Sequence, residues 1–303
     1  MNKWLKSAVF TASLFDLVAC SQGPQSADPD FVPHNTQRTF DGINSPVVLV
    51  DEAHHNFLTA SGRYRPFAQV LESDGFTVRE NKLAFSAQSL SNANVVVVAN
   101  ALDRDRTDWK PPYGNAFEAD EVQTLTEWVS QGGALLLIAD HTPFPKVIES
   151  LAAAFSIEFS NGHVNDASFS KFNQSLAQHP ITKGNPNALF SRQVTKVKTF
   201  GGSAFKLSEE GVSLLTLKDG YVSLEPDIPF QVTRESVRNP VGGWSQGAVI
   251  EYGQGRVAIF AEGMMFSSQY DAQTNKKYGL RSSGAEHNEH FLLNVMHWLV
   301  GEL

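Results

Sequence analysis

Residues 117–145 read FEADEVQTLTEWVSQGGALLLIADHTPFP, and this stretch holds one complete helix–turn–strand unit. Phe117 to Gln131 has the spacing of an amphipathic helix, with Val122, Leu125, Trp128 and Val129 on one face. Glu118, Asp120 and Glu121 stand in its first turn, where carboxylates complement the helix dipole. Gly132-Gly133 closes the helix. Ala134 to Ala139 is then an unbroken apolar run ending at Asp140, the pattern of a strand buried on both faces.

The same grammar extends in both directions. Val47-Val48-Leu49-Val50 is an apolar run ending at Asp51, and Arg63 to Asp74 reads as a helix with Phe67, Val70 and Leu71 inward and Gly75 at its C-cap. Phe76 to Arg79 reads as a short strand, Val95 to Val98 as another leading to Asn100, and Lys146 to Phe155 as a helix. Strands alternating with helices predict an α/β fold with a mostly parallel sheet and right-handed crossovers.

Residues 160–246 have a different texture. The runs Val194–Phe200, Val212–Leu217 and Ile228–Val232 sit among Gly, Pro and Asn, which predicts a β-rich insertion. Ala248–Tyr252 and Arg256–Ala261 flank Gly253-Gln254-Gly255 as a hairpin. A last helix runs from Glu286 to Val300, packed through Phe291, Leu292, Val295, Trp298 and Leu299. His290, Asn294 and His297 share a face with His287 and read as its solvated side.

The N-terminus carries a separate signal. Lys3 and Lys6 precede the mostly apolar run Ala8–Phe15, which is too short to span a bilayer, and Leu17-Val18-Ala19-Cys20 follows. Residues 1–19 therefore read as a signal peptide. The tetrapeptide resembles the bacterial lipobox, whose cysteine is acylated, so Cys20 is the expected lipidation site. Asp16 is a departure from that pattern, and a plain secretory peptide cut near Ala19 is the alternative. Ser21, in place of the aspartate of inner-membrane retention, points to the outer membrane with the domain facing the periplasm. Residues 20–45, polar and containing Pro24, Pro29 and Pro33, read as a flexible tether to a domain spanning 46–303.

Composition narrows the function. The formal charge of −8 becomes −9 once residues 1–19, with two lysines and one aspartate, are removed. Scattered charge in an acidic chain argues against nucleic acid, which needs clustered Lys and Arg. Cys20 is the only cysteine, so no disulfide, thiolate metal site or cysteine nucleophile is expected in the domain.

In open parallel sheets ligands bind at the carboxyl ends of the strands. The first strand delivers Asp51, Glu52, His54, His55 and Asn56 there, the third Asn100, and the fourth Asp140 and His141. Glu262 follows the last strand, and the start of the last helix adds His287, Asn288 and His290. Taken singly, each is ambiguous. Asp51 serves equally as a loop or cap residue, adjacent His54 and His55 point opposite ways, and Asp140-His141-Thr142-Pro143 is also a good Asx turn. Two readings use the set. Either His54 or His55, with Asp140, His141 and Glu262, holds a divalent metal that activates water for hydrolysis, or the groups bind a polar ligand without reacting. No HExxH or other metal spacing decides between them, and no cofactor is specified. Gly243-Trp244-Ser245-Gln246-Gly247 matches GxSxG, but Arg238-Asn239-Pro240 precedes it and a strand follows, so the strand–turn–helix of a nucleophile elbow is missing.

Asp51 to Asn56, Gly132 to His141, Gly253 to Ala258 and the helix Asn288 to Trp298 together resemble the class I glutamine amidotransferase-like domains of the DUF4350 kind. The resemblance covers most of 46–303 and is weakest in the middle. It implies a flavodoxin-like three-layer sandwich. Class I amidotransferases use a cysteine at a nucleophile elbow, which this domain lacks, so glutaminase activity is not expected. The combined expectation is a lipid-anchored ligand-binding or accessory domain of the cell envelope, partnered by a small polar ligand or an envelope protein.

Overall fold

The sheet is built on Val95–Ala99 and Ala134–Ile138, five-residue runs in which every residue is buried. The computed structural model describes residues 25–185 and 192–303. Residues 1–19, expected to be a signal peptide, and Cys20, the expected lipidation site, lie outside the described residues. In chain order the large sheet contains β1 Val47–Asp51, β2 Thr77–Asn81, β3 Val95–Ala99, β4 Ala134–Ile138, β5 Glu158–Phe159, β6 Phe205–Lys206, β7 Val212–Thr216, β8 Ser245–Tyr252 and β9 Gly255–Phe260. Its strand order is β2-β1-β3-β4-β9-β8-β6-β5, with β7 also paired to β8. Strands β1, β2, β3, β4 and β9 are parallel. Strand β8 returns antiparallel to β9, and β6 and β7 pair antiparallel to β8. The fold is therefore α/β with a mixed sheet, parallel where sequence alternation predicted it and antiparallel where the hairpin and insertion extend it.

Alternation along the strands creates two cores, one on each face. Val48, Val50, Val97 and Leu136 join Phe67, Val70 and Leu71 of α1 (Arg65–Asp74) and the apolar stripe of the last helix. Val96, Val98, Leu135 and Leu137 join Leu125 and Val129 of α2 (Ala119–Ser130), together with α3 (Phe144–Val147) and α4 (Glu149–Ala154). Each buried Val or Leu contributes about 1.5–3 kcal/mol, so these two layers carry the fold. The helix expected over 146–155 is thus two short ones meeting at Ile148. Helix α1 stops at Gly75, whose φ of +99° needs a glycine and whose Cβ would overlap the Phe40 carbonyl oxygen.

The insertion is β-rich. Its hairpins pair Ala167–Ser170 with Lys196–Thr199 and Val222–Glu225 with Val237–Pro240. Ile228–Val232, expected to be extended, contains a turn in which Phe230 has a φ of +65°.

Two expectations need correction. The segment read as a flexible tether is held to the domain from Gln25 onward. Gln25–Ala27 pairs with Ser268–Asp271, Phe31 is buried in the core, and Thr39 donates to Asp74 through its amide and its hydroxyl. The polar side of the last helix, α5 (Asn288–Leu299), is not solvated. Asn294 and His297 are fully buried, because Pro180–Lys183 and the N-terminal segment cover that side. Asn294 donates to the carbonyls of Ile181 and Arg192, and His297 Nε2 donates to Asp74 Oδ2 at 2.6 Å.

Asp74 thereby ties α1, α5 and the N-terminal segment together. Its replacement in Asp74→Ala strands His297 and Thr39 in a buried site. The expected loss is about 3 kcal/mol, the scale for breaking one partner of a buried pair. Urea unfolding reads it as a lower midpoint, and a loss under about 1 kcal/mol, the scale of a surface pair, would show that the contact is dispensable.

Candidate functional site

Strand β1 ends at Asp51, and the loop after it folds back so that His54 Nδ1 lies 2.9 and 2.8 Å from the two Asp51 oxygens. The other ring nitrogen, Nε2, reaches Glu121 Oε1 at 3.0 Å. Glu121 also accepts the Phe85 and Glu118 amides, and the rings of Phe85 and Phe117 enclose the imidazole. Burial works against a charged His54, but the hydrogen bonds and charges of Asp51 and Glu121 prevail and raise it above its ordinary value. Burial likewise opposes a charged Glu121, while the Glu118 and Phe85 amides and His54 hold its carboxyl below the usual range. This is a clamp between the β1 loop and α2. His54 has both nitrogens engaged and no lone pair left for a metal.

The rest of the loop divides as adjacency predicts. His55 is exposed, with a φ of +48°, and pairs with Asp105 at 3.1 Å, away from His54. Glu52 accepts the Ala60 amide at 2.9 Å, and burial first, then Glu80 and Asp51, pushes its carboxyl up. Asn56 accepts the His54 amide, while its side-chain nitrogen is buried without a hydrogen bond.

Asn100, Asp140 and Glu262 do meet at the carboxyl edge. Asn100, at a φ of +53°, accepts the Asp140 amide at 2.9 Å through its side chain. Asp140 accepts the His141 amide at 2.8 Å and the Gly263 amide at 3.4 Å. Glu262 is buried and accepts the Met264 and Met265 amides at 2.6 and 2.9 Å, which fixes the turn after β9. Burial, reinforced by nearby Asp140, pushes the Glu262 carboxyl well up against these donors. Beneath them the buried Tyr64 hydroxyl donates to the Gly263 carbonyl.

Above these polar groups stands a wall of rings. His141 stacks on His163 with centroids 4.6 Å apart, and Phe230 lies against both at 4.9 and 5.6 Å. Trp109 touches Phe230, Phe144 and Phe57, and the Arg63 guanidinium sits 4.3 Å over Phe57. Phe57, Arg63, Trp109, His141, His163 and Phe230 are all half-buried, so this ring cluster, the recess, is partly open to solvent. His141 Nδ1 is engaged by the Thr142 carbonyl at 2.8 Å. His163 is pushed down to about 3 by burial and by His141, and its Nε2 is buried without a hydrogen-bond partner. Trp109 and Phe230 hold φ values of +55° and +65°, which cost a bulky residue roughly 1–2 kcal/mol each.

The last-helix candidates stay outside this recess. Asn288 is buried, accepting the Lys198 amide and donating to the Lys198 and Met265 carbonyls, while His287 Nδ1 accepts the Thr195 amide. Both fasten α5 to the insertion hairpin. Ser245 begins β8 and bonds to Ser213 at 2.7 Å, within a strand and not at an elbow. Among the described residues no group of three or more His, Cys, Asp or Glu is placed to hold a metal ion. The residues at this edge do not fit the divalent ion weighed from the sequence.

Sequence reasoning reached Asn100, Asp140, His141 and Glu262 through the strand-end rule. It missed His163 and Phe230, which arrive from the insertion, and Arg63 and Trp109, which sit in loops without a motif. Only the aromatic content of those loops offered a signal.

No family model matches the chain, and no curated protein matches it in sequence. Its fold is similar to that of solved structures. One is the mmIFT52 N-terminal domain, at TM-score 0.56 and 14% identity, covering 84% of this chain and 97% of that one. Two others are the cytoplasmic proteins STM1381 from Salmonella typhimurium LT2 and STM3548 from Salmonella typhimurium, both at TM-score 0.50. Their identities are 13% and 12%, each matches 84% of this chain, and the match covers 99% and 98% of theirs. At such identities the likeness is one of fold alone.

The His54 clamp makes stability depend on pH. With the folded value raised, its contribution is complete below the unfolded value of about 6.5 and is lost as pH rises through the folded one. Urea unfolding should show the wild type losing stability as pH rises above about 6.5, and His54→Gln losing less over the same rise. Equal losses in the two proteins would remove the clamp from the account.

Proposed function

We propose that the chain is a ligand-binding or accessory domain without glutaminase activity, and that its ligand is a polar compound presenting a flat ring or face. One observation carries this reading. The polar groups at the strand ends are taken up by the protein itself, whereas the half-buried rings of Trp109, His141, His163 and Phe230 form a wall beside them. Such an edge is suited to holding a molecule by stacking and a few oriented contacts. Bulky residues in left-handed backbone at the same place fit a site shaped for binding.

The domain is proposed to be a flavodoxin-like three-layer sandwich of the amidotransferase-like kind. The parallel strands, taken alone, run 2-1-3-4-5 in that order, and helices pack against both faces. Anchoring through an acylated Cys20, in the outer membrane facing the periplasm, rests on the order of Lys3, Lys6, the apolar run and Leu17-Val18-Ala19-Cys20. A bacterial host making Cys20→Ser should move the protein from the detergent phase to the aqueous phase on Triton X-114 partition. Unchanged partition would sink the anchor.

The recess is tested by titrating the chain with uncharged polar rings, benzamide, glucose and adenosine, while following the Trp109 indole N–H resonance. At least one should shift it, and His141→Ala and Phe230→Ala should each weaken that binding by about tenfold, the scale of one lost aromatic face. Silence from every compound, or binding untouched in both variants, would overturn the site.

A further inference from the structure

Half-buried arginines in this protein have acceptors, with one exception. Arg106 forms a two-pronged pair with Asp103 and donates to the Lys110 and Pro112 carbonyls. Arg256 donates to the Trp298 carbonyl, and Arg281 to the Val32 carbonyl and His34. Arg63, equally half-buried, has no hydrogen bond or ion pair from its guanidinium among the described residues. Only the Phe57 ring, 4.3 Å below it, meets its charge. A guanidinium carries five N–H donors in a planar fork and stays ionised, and since no Arg63 nitrogen is sealed from solvent, those donors are open to water or to a ligand. Burial alone lowers its affinity for the proton, with no carboxylate acting in the other direction.

The position of Arg63 gives this open charge a direction. It lies in the loop between β1 and α1, at the carboxyl edge where ligands of open α/β sheets bind. The Phe57 ring that supports it is the ring touched by Trp109 and Phe144, so the guanidinium borders the aromatic recess. The Arg63 carbonyl accepts the Ser267 hydroxyl at 2.6 Å and the neighbouring Tyr64 side chain is locked to Gly263, which fixes the backbone that carries it. The charge is therefore held by rigid neighbours, stacked on its flat side and open along its edge. This is how arginine presents itself to a planar oxyanion.

We infer that Arg63 is the anion-binding residue of the recess, and that the ligand is a ring-bearing carboxylate or phosphate whose oxyanion pairs with the Arg63 fork while its ring lies on the His141–Phe230–Trp109 wall. This rests on the recess being the ligand site. It goes further by naming the charge of the ligand and the residue that selects it.

Matched probes test it on the full chain. Benzoate and benzamide have the same shape and differ in charge, as nearly do phenyl phosphate and phenol. Calorimetric titration should show at least one anion binding about tenfold or more tighter than its neutral partner, the size of one charge-assisted hydrogen bond. The carboxylate and phosphate pairs distinguish the two oxyanions. Arg63→Gln should abolish the preference, and Arg63→Lys should restore part of it. In the wild type the Arg63 Nε–H resonance should shift on adding the anion, a readout that needs no folded variant. Equal binding of charged and neutral partners, or a preference kept in Arg63→Gln, would overturn the anion subsite and leave the recess standing. Binding by none of the four compounds would overturn the anion subsite, and the recess with it if glucose and adenosine are silent too.

Discussion

Burial of β3 and β4 on both faces is the constraint from which the rest of the molecule follows. A strand with no solvent-facing side cannot carry polar side chains along its length, so each apolar face must be covered by helices. Helices α1 and α5 cover one face and α2 with α3 and α4 the other. Polar groups are then confined to the strand ends, where the backbone leaves the sheet. Asp51, Asn100, Asp140 and Glu262 all stand at that boundary, and their convergence is a consequence of the sheet's apolar interior.

Confinement also decides what those groups can do. A carboxylate at the edge of a dry core must be hydrogen-bonded or it destabilises the fold. Glu262 meets this with backbone amides, Asp51 with His54, and Asp74 with Thr39 and His297. Two buried histidine–carboxylate contacts, one on each face, thus pin the loops and the N-terminal segment to the sheet. Polar residue types that the sequence offered to a ligand or a metal are in large part engaged within the protein. Stacked imidazoles, Phe230, Trp109 and Arg63 stay half-buried beside them.

The alternation of strand and helix, the burial of the central strands on both faces and the carboxyl-edge location of Asn100, Asp140 and Glu262 were legible in the sequence, because runs such as Ala134–Ile138 and the helix face of α2 have the period of their structure. The roles of His54, Asn288 and His297 were not. A histidine's neighbours in sequence do not say which carboxylate will close on it. Glu121 lies 67 residues from His54, and Asp74 lies 223 from His297. The N-terminal segment misled for a related reason. Its composition is that of a tether, yet paired backbone and a few buried side chains, Phe31 among them, hold it.

By itself the sequence determined the alternation of strand and helix, the β-rich character of the insertion and the edge at which polar groups gather, since hydrophobic periodicity is a local property. Only the tertiary structure decided which of those groups are free. His163 and Phe230 reach the recess from an insertion whose placement depends on β6, β7 and β8 joining the large sheet, and Arg63 is conspicuous only when every other half-buried arginine is seen to have an acceptor. Whether a side chain has an acceptor is a property of its surroundings in space, and surroundings are assembled by long-range packing.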